Sequence, residues 1–177
     1  IFISHLHGDH CFGLIGLLST LDMQGRTADL YIHSHEELKE LLLPLLSFFC
    51  KGMTYKVHFE PFNPKEHAVI YDDKSLLVET IPLKHKIQTS GFLFKEKTKL
   101  RHIIRDKIDF YKIPIKDIPL IKEGADYYSP ERDEIIPNSQ LTTAPSKSKS
   151  YAYCSGTLCS ESVIPYIEGV DCLFHEA

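Results

Sequence analysis

The sequence predicts an α/β fold that a single domain of 177 residues can form. Short apolar runs suit buried strands, whereas longer segments place apolar side chains at the helical period. These segments follow one another as strand, helix and strand, and no internal repeat interrupts them. The three observations favour one α/β domain covering residues 1–177.

The first part of the chain predicts an alternation of strands and helices. The apolar runs that suit strands occupy residues 1–3 and 30–33. Residues 9–21 suit a helix, because their apolar side chains wrap one side of it. Ser34 can cap a second helix that runs to about Cys50, and Pro44 inside this helix is expected to kink or split it.

The middle of the chain predicts mainly strands. Four runs that resemble consecutive strands of a meander occupy residues 55–62, 68–71, 75–82 and 91–95. Short helices are predicted over residues 100–110 and 115–121. A charged turn then separates β-like segments at residues 126–128 and 135–136.

The last part of the chain predicts a strand, a helix and a further strand. Residues 142–150 are polar and suit a surface loop, and residues 151–154 follow as a strand. Ser160 can cap a helix over residues 160–167, before an apolar strand over residues 170–174. Because both ends of the sequence are strand-like, the fold is expected to be incomplete at both ends and the chain a fragment.

Charge and cysteine content exclude some classes of protein. A net charge of −4 and a pI near 6.2 argue against a protein that coats nucleic acid with its whole surface. A local basic stretch at residues 95–102 offers Lys97, Lys99 and Arg101 as RNA contacts, with a solvated charged surface as the alternative. Five cysteines without CxxC spacing predict reduced thiols, as in the cytosol.

A cluster of metal-ligating side chains follows the first predicted strand. His5, His7, Asp9 and His10 lie within six residues, at a strand-to-helix turn where Gly8 permits a tight backbone. Imidazole nitrogens and carboxylate oxygens are ligands that zinc prefers. At such a turn His5 and His7 can converge on one ion, while Asp9 and His10 point to a second position nearby. The spacing therefore predicts a site for two metal ions.

This HxHxDH motif resembles the signature of the metallo-β-lactamase superfamily, which implies its αβ/βα sandwich fold. Three later segments are similar to motifs of the tRNase Z family within it: His85 followed by Ser90-Gly91-Phe92, residues 151–157, and the His-Glu-Ala sequence at residues 175–177. The resemblance covers almost the whole chain.

The resemblance implies a set of site residues and an activity. His5, His7 and His85 would hold one zinc ion, and Asp9 and His10 would serve a second. Asp9 would also act in catalysis, by orienting or deprotonating the attacking water. The activity implied is a zinc-dependent endoribonuclease that hydrolyses a phosphodiester bond to remove the 3′ trailer from precursor tRNA. The family also implies a homodimer in the cytoplasm, without a membrane partner.

Departures from the family pattern leave alternatives open. Gly156 stands where the family has an aspartate that bridges both metals, so a mononuclear or weakly bound centre is expected here. Residues 111–117 lack the Gly-Pro pair of the family's tRNA-gripping arm. One alternative is another hydrolase of the superfamily, such as a thioesterase, lactonase or arylsulfatase. A second alternative is a catalytically degenerate module that binds RNA or a partner subunit. For the metal itself, manganese is an alternative to zinc.

Overall fold

The computed structural model describes residues 1–176, and the chain divides into two compact units. Unit 1 comprises Ile1–Lys95 and Lys149–Ala177, and unit 2 comprises Glu96–Ser148. Ala177, the last residue of the His-Glu-Ala segment, lies outside the described residues. The prediction of a single domain over residues 1–177 stays a prediction.

The structure has short helices and strands in alternation. In chain order, the helices are α1 (Gly8–Cys11), α2 (Gly13–Met23), α3 (Glu37–Phe49), α4 (Arg105–Phe110), α5 (Ile118–Glu123), α6 (Asn138–Leu141) and α7 (Ile164–Ile167). The strands are β1 (Leu30–Ser34), β2 (Val57–Pro61), β3 (Val69–Asp72), β4 (Leu76–Pro82), β5 (Ser90–Glu96), β6 (His102–Ile103), β7 (Tyr127–Ser129), β8 (Glu134–Ile136), β9 (Thr142–Thr143), β10 (Ser150–Cys154) and β11 (Cys172–His175). Single 3-10 turns precede α5 and α7 at Ile115–Asp117 and Glu161–Val163.

Unit 1 contains a five-stranded sheet with the order β11-β10-β5-β4-β3. Ala152 of β10 lies opposite Leu173 of parallel β11 on one side and opposite Leu93 of antiparallel β5 on the other. The predicted meander is confirmed for β3, β4 and β5, which are neighbours in this sheet. It is wrong for β2, which instead pairs in parallel with β1, so that Ile32 lies opposite Phe59.

The predicted strand at residues 1–3 is a single bridge beside β1. Phe2 pairs with His33, and the Ile3 backbone N–H donates to the His33 carbonyl at 2.9 Å. This pairing fixes the direction of the chain immediately before the HxHxDH motif.

The helices of unit 1 begin differently from the sequence prediction. The helix predicted over residues 9–21 is divided at Phe12 into α1 and α2. Ser34 does not cap α3, because it lies in β1 and its hydroxyl donates to the His35 carbonyl at 3.0 Å. Ser160 likewise makes no capping bond, since its hydroxyl lies 2.9 Å from that of Ser162.

Pro44 does not split α3, which continues from Glu37 to Phe49 around it. Proline inside a helix costs about 3 kcal/mol. Leu38 and Leu42 of the same helix are buried, and a fully buried leucine contributes about 1.5–3 kcal/mol. Packing of this face therefore offsets the cost of Pro44. The prediction of a split is wrong, whereas a kink at Pro44 stays a prediction.

Unit 1 has two hydrophobic clusters, and each contains a residue that closely precedes one of the histidine segments. The first joins α2, β1 and α3 through Ile3, Leu14, Leu18, Ile32, Leu38 and Leu42. The second joins β4, β5 and β10 through Ile81, Leu93, Ala152, Cys154 and Val163. Ile3 precedes His5 by two residues and Ile81 precedes His85 by four, so buried side chains anchor both approaches to the motif.

Unit 2 has its own small core, made by Ile108, Ile113, Ile121, Ile136 and Leu141. Asn138 holds three segments of it together. Its side-chain amide donates to the carbonyls of Ile121 and Ala125 at 2.7 and 2.8 Å, and its Oδ1 accepts from the Thr142 hydroxyl at 2.7 Å. The predicted charged turn is confirmed as the connection of the β7–β8 hairpin.

The helix predicted over residues 100–110 is shorter than expected. Residues 102–103 form β6, which pairs with β9, and α4 begins only at Arg105. Across residues 1–176, every helix falls short of the length and apolar character required to cross a membrane.

Burial of Cys154 predicts a pattern of thiol reactivity. The Cys154 side chain is fully buried, and this burial raises the pKa of its thiol to about 11, whereas Cys159 and Cys172 are exposed. We expect iodoacetamide at pH 8 to modify Cys159 and Cys172 in the folded chain and to leave Cys154 unmodified, because only thiolates react. Peptide mass spectrometry measures the sites, with guanidinium-unfolded chain as the control. Equal labelling of Cys154 and Cys172 in the folded chain would contradict the sheet described here.

Candidate metal centre

The HxHxDH motif forms the turn between the first bridge and α1. His7 has an extended backbone and precedes Gly8, the first residue of α1. A Cβ atom at Gly8 would lie 2.4 Å from the ring of Phe12, so a larger residue here would require this exposed ring to move. The Ser4 carbonyl accepts the backbone N–H of Ser90 at 2.9 Å, which ties the motif to the start of β5.

His85 reaches the motif from the loop between β4 and β5. The Leu83 backbone N–H donates to the Thr89 carbonyl at 3.1 Å and closes this loop at its base. The Lys84 carbonyl accepts the backbone N–H of Leu158 at 2.8 Å, which anchors the loop on the segment after β10. The position of His85 is therefore set by contacts distant in sequence.

His5, His7 and His85 converge, as the sequence and the resemblance predict. One ring nitrogen from each lies within 4.8 Å of the other two. The Nε2 atom of His85 is 3.5 Å from Nδ1 of His7, and the ring centroids of His5 and His85 are 5.2 Å apart. Three imidazoles at this spacing can place their nitrogens around one ion of the size of zinc.

The environment of His5 keeps its ring neutral. Burial and the neighbouring rings of His10, His7 and His85 lower the pKa of His5 to about 4, while Asp9 opposes this shift. A neutral imidazole is the form that binds a metal. The Ser4 hydroxyl lies 3.0 Å from Nδ1 of His5, which leaves Nε2 for a ligand bond.

Asp9 and His10 lie beside this histidine cluster rather than in it. The Asp9 side chain is 79% exposed, and its Oδ2 is 3.4 Å from Nε2 of His10. The His10 ring packs on that of His5 with centroids 4.0 Å apart. Within residues 1–176, the group of three or more side chains that could hold an ion is His5, His7 and His85. A site for a second ion, as the spacing predicts, stays a prediction.

Gly156 packs directly against the histidine cluster. Its backbone is in the left-handed region, with a φ of +65°, and a Cβ atom there would lie 2.7 Å from Cε1 of His5. Position 156 is therefore adjacent to the candidate ligands, as the resemblance implies for the family's bridging aspartate. Glycine contributes no ligand atom at this place.

Glu176 holds the Gly156 turn, a role that sequence analysis missed. Its Oε2 accepts the Ser155 hydroxyl at 2.5 Å and the Gly156 backbone N–H at 3.2 Å. The hydrogen bond from Ser155 has the larger effect, and together with that from Gly156 it lowers the pKa of the Glu176 carboxyl. Sequence analysis also missed the contact between the Ser4 hydroxyl and the His5 ring. For Glu176, the only signal in the sequence was its place in the His-Glu-Ala segment.

The three residues predicted to contact RNA lie in unit 2 and bond within it. Lys99 Nζ is 2.8 Å from Glu96 Oε2, and Arg101 Nε donates to the Thr142 hydroxyl at 2.7 Å. The Lys97 carbonyl accepts the Ser148 hydroxyl at 2.9 Å. Their contact with RNA stays a prediction.

Comparison with known proteins shows which family the chain resembles. Ribonuclease Z of Phocaeicola vulgatus is 59% identical and that of Bacteroides thetaiotaomicron 56% identical, each across all 177 residues. Along its whole length the chain is similar to the ribonuclease Z family. It spans 57% and 56% of the length of these two relatives. No family model matches the chain.

The fold of the chain agrees with a solved structure. The short form of human tRNase Z matches it with a TM-score of 0.56 and 19% identity, covering 100% of this chain and 56% of the human one. The predicted metallo-β-lactamase fold is thereby confirmed, as is the resemblance to the tRNase Z family.

The lowered pKa of His5 predicts how the metal-free chain titrates. The pKa in the folded state, about 4, is below the ordinary value of 6.5, so the unfolded chain binds more protons between these two pH values. Stability contributed by neutral His5 is therefore fully present above pH 6.5 and is lost as the pH falls towards 4. NMR titration of the His5 Cε1–H in EDTA should give a midpoint near 4, and His5→Gln should flatten the pH dependence of the unfolding free energy. A His5 midpoint near 6.5 would contradict this account.

Proposed function

We propose that this chain carries the metal centre of a zinc-dependent endoribonuclease that removes the 3′ trailer from tRNA precursors by phosphodiester hydrolysis in the cytoplasm. The observation that carries the proposal is the convergence of His5, His7 and His85. The names of the relatives, ribonuclease Z and tRNase Z, support RNA as the substrate and tRNA as its class.

The residues present fit zinc. The donor set consists of three imidazole nitrogens. His5 is the most buried of the three residues, and its lowered pKa keeps its ring neutral above about pH 4. When bound, zinc supplies Lewis-acid chemistry that stabilises negative charge on phosphodiester oxygens and makes water more acidic. In the proposed reaction, Ser4 orients His5, and the exposed Asp9 carboxylate accepts the proton of the attacking water. His10, packed on His5, then donates a hydrogen bond to that carboxylate.

We further propose that the chain holds one zinc ion rather than two. The first ion would have three histidine ligands, whereas a second would have only Asp9 and His10. Gly156 supplies no carboxylate between the two positions. Two donors are too few for a tightly held ion, because zinc in proteins normally has at least three protein ligands.

Elemental analysis of the purified chain tests the metal centre. We expect one zinc ion per chain, and a zinc affinity at least about a hundredfold weaker in His85→Ala, because one of the three ligand nitrogens is lost. His102→Ala, which removes an exposed histidine of unit 2, is the matched control and should bind zinc like the unchanged chain. A chain without tightly bound metal, or a His85→Ala variant that binds zinc normally, would overturn the site.

Two variants of Gly156 test the number of ions and the activity. Gly156→Asp adds a Cβ atom together with a carboxylate. Once the His5 ring has moved to admit the Cβ atom, this carboxylate can serve both ions, so we expect two ions per chain and faster cleavage of a precursor tRNA with a 3′ trailer. Gly156→Ala adds only the Cβ atom that crowds His5, so zinc affinity should fall without a second ion. Two ions in the unchanged chain would show that other residues complete the second site.

A module that binds RNA without cleaving it is the alternative that Gly156 favours. The same assays separate the two functions, because such a module would hold zinc and bind precursor tRNA but leave it intact. Another hydrolase activity of the superfamily is disfavoured by the identity to proteins named ribonuclease Z.

We also propose a homodimer formed through the apolar face of α3. This face exposes Leu41, Leu45, Phe48 and Phe49, with exposed fractions of 60, 41, 75 and 67%. Beside it, Phe12 is 83% exposed and borders a groove of about 350 Å³ lined almost entirely by leucine and other apolar side chains. Exposed apolar surface of this extent is typical of protein interfaces, and the family resemblance favours a second copy of the chain as the partner.

Light scattering during size-exclusion chromatography tests the dimer. We expect the unchanged chain to elute as a dimer and Phe48→Glu to elute as a monomer, because a buried unpaired carboxylate opposes association. Ile115→Glu, which changes an exposed residue of unit 2, is the control and should leave the mass unchanged. A monomeric unchanged chain at micromolar concentration would contradict the proposal.

A further inference from the structure

We propose that Lys65, Lys84 and Lys86 form a cradle that binds backbone phosphates of RNA next to the histidine cluster. This lysine cradle rests on the proposed function, because it gives the substrate strand a path to the candidate metal centre. It involves residues other than the basic stretch at 95–102.

The cradle lines a cavity of about 540 Å³ in unit 1. Its walls are the segment Pro64-Lys65 before β3 and residues 82–89 between β4 and β5. His85 belongs to these walls and also to the histidine cluster, so the cavity adjoins the candidate metal centre. Three lysines line it, together with His85, Gln88 and Thr89, and no acidic side chain does.

The charges of the cradle are not neutralised by the protein. Among residues 1–176, Lys65, Lys84 and Lys86 take part in no ion pair. Other lysines do pair, since Lys95 lies 2.8 Å from Glu79 and Lys112 lies 3.2 Å from Glu131. Three lysines without an acidic partner therefore line one cavity, and an anion bound there would be attracted by their positive charge.

The backbone beneath the cradle is held in place. The Lys84 carbonyl accepts from Leu158, as described above, and the Pro64 carbonyl accepts the Ser90 hydroxyl at 3.3 Å. The Lys65 backbone N–H donates to Asn63 Oδ1 at 3.1 Å. Both walls are therefore fixed relative to β5, and only the lysine side chains remain to adapt to a phosphate.

RNA is the anion that the position of the cradle favours. A strand with its scissile phosphate at the histidine cluster carries further phosphates on either side, and these need positive charge within a short distance. The net charge of the chain is −4, so its overall field repels RNA and attraction must be local. The lysine cradle supplies that attraction where the strand must pass.

Binding measured without cleavage tests the cradle. The probe is fluorescein-labelled precursor tRNA in EDTA, titrated with chain at several KCl concentrations and followed by anisotropy. The test variant is K65Q/K84Q/K86Q, and the matched control is K39Q/K51Q/K74Q, which removes the same charge from exposed lysines of unit 1. We expect the test variant to bind at least tenfold more weakly, and the slope of log affinity against log salt to fall by about 2–3, at roughly 0.7–0.9 per phosphate contact. The control should change each quantity far less.

Several results would overturn the proposal or separate it from the proposed function. Equal salt slopes for the test and control variants would show that the three lysines are ordinary solvated surface residues and would overturn the proposal. Failure of the unchanged chain to bind the probe would also overturn it. Zinc content and melting temperature of each variant show whether the fold and the histidine cluster survive. If the chain neither holds zinc nor cleaves RNA, yet the test variant alone loses affinity and salt slope, the cradle stands and the proposed function fails.

Discussion

A buried, neutral His5 is the constraint on which the candidate site depends. Its ring is almost inaccessible to solvent and lies among three other histidines, so a proton on it would be both desolvated and repelled. The Ser4 hydroxyl and the Gly156 turn both lie against it, and Glu176 accepts a hydrogen bond from the Gly156 backbone N–H. The strands, loops and hydrophobic clusters of unit 1 serve to bring these separate segments to one ring.

The same constraint explains why position 156 affects more than the number of ligands. Glycine allows the turn to approach the His5 ring at a distance that no other residue permits without movement. An aspartate at this position would have to displace the ring before its carboxylate could reach an ion. The absence of a carboxylate at position 156 and the close packing on His5 are therefore two consequences of the same glycine.

The sequence predicted the local features of the site and fold better than the long-range ones. His5 and His7 lie within a few residues of each other, and His85 belongs to a recognisable segment, so the convergence of these three candidate ligands could be predicted from spacing and resemblance. The lysine cradle could not, because Lys65 and Lys84 are separated by two strands and meet only through folding. Apolar alternation identified β2 as a strand, but it carries no information on its partner, so its pairing with β1 was missed.

The order of the five-stranded sheet leaves β11 at one edge, with Leu173 and Phe174 about half exposed. An edge strand with unpaired backbone groups and apolar side chains is a template on which a strand of another molecule can add. Preparations of the 177-residue chain should therefore be sensitive to aggregation at high concentration. A charged residue introduced on this edge would be the first change to consider for improving solubility.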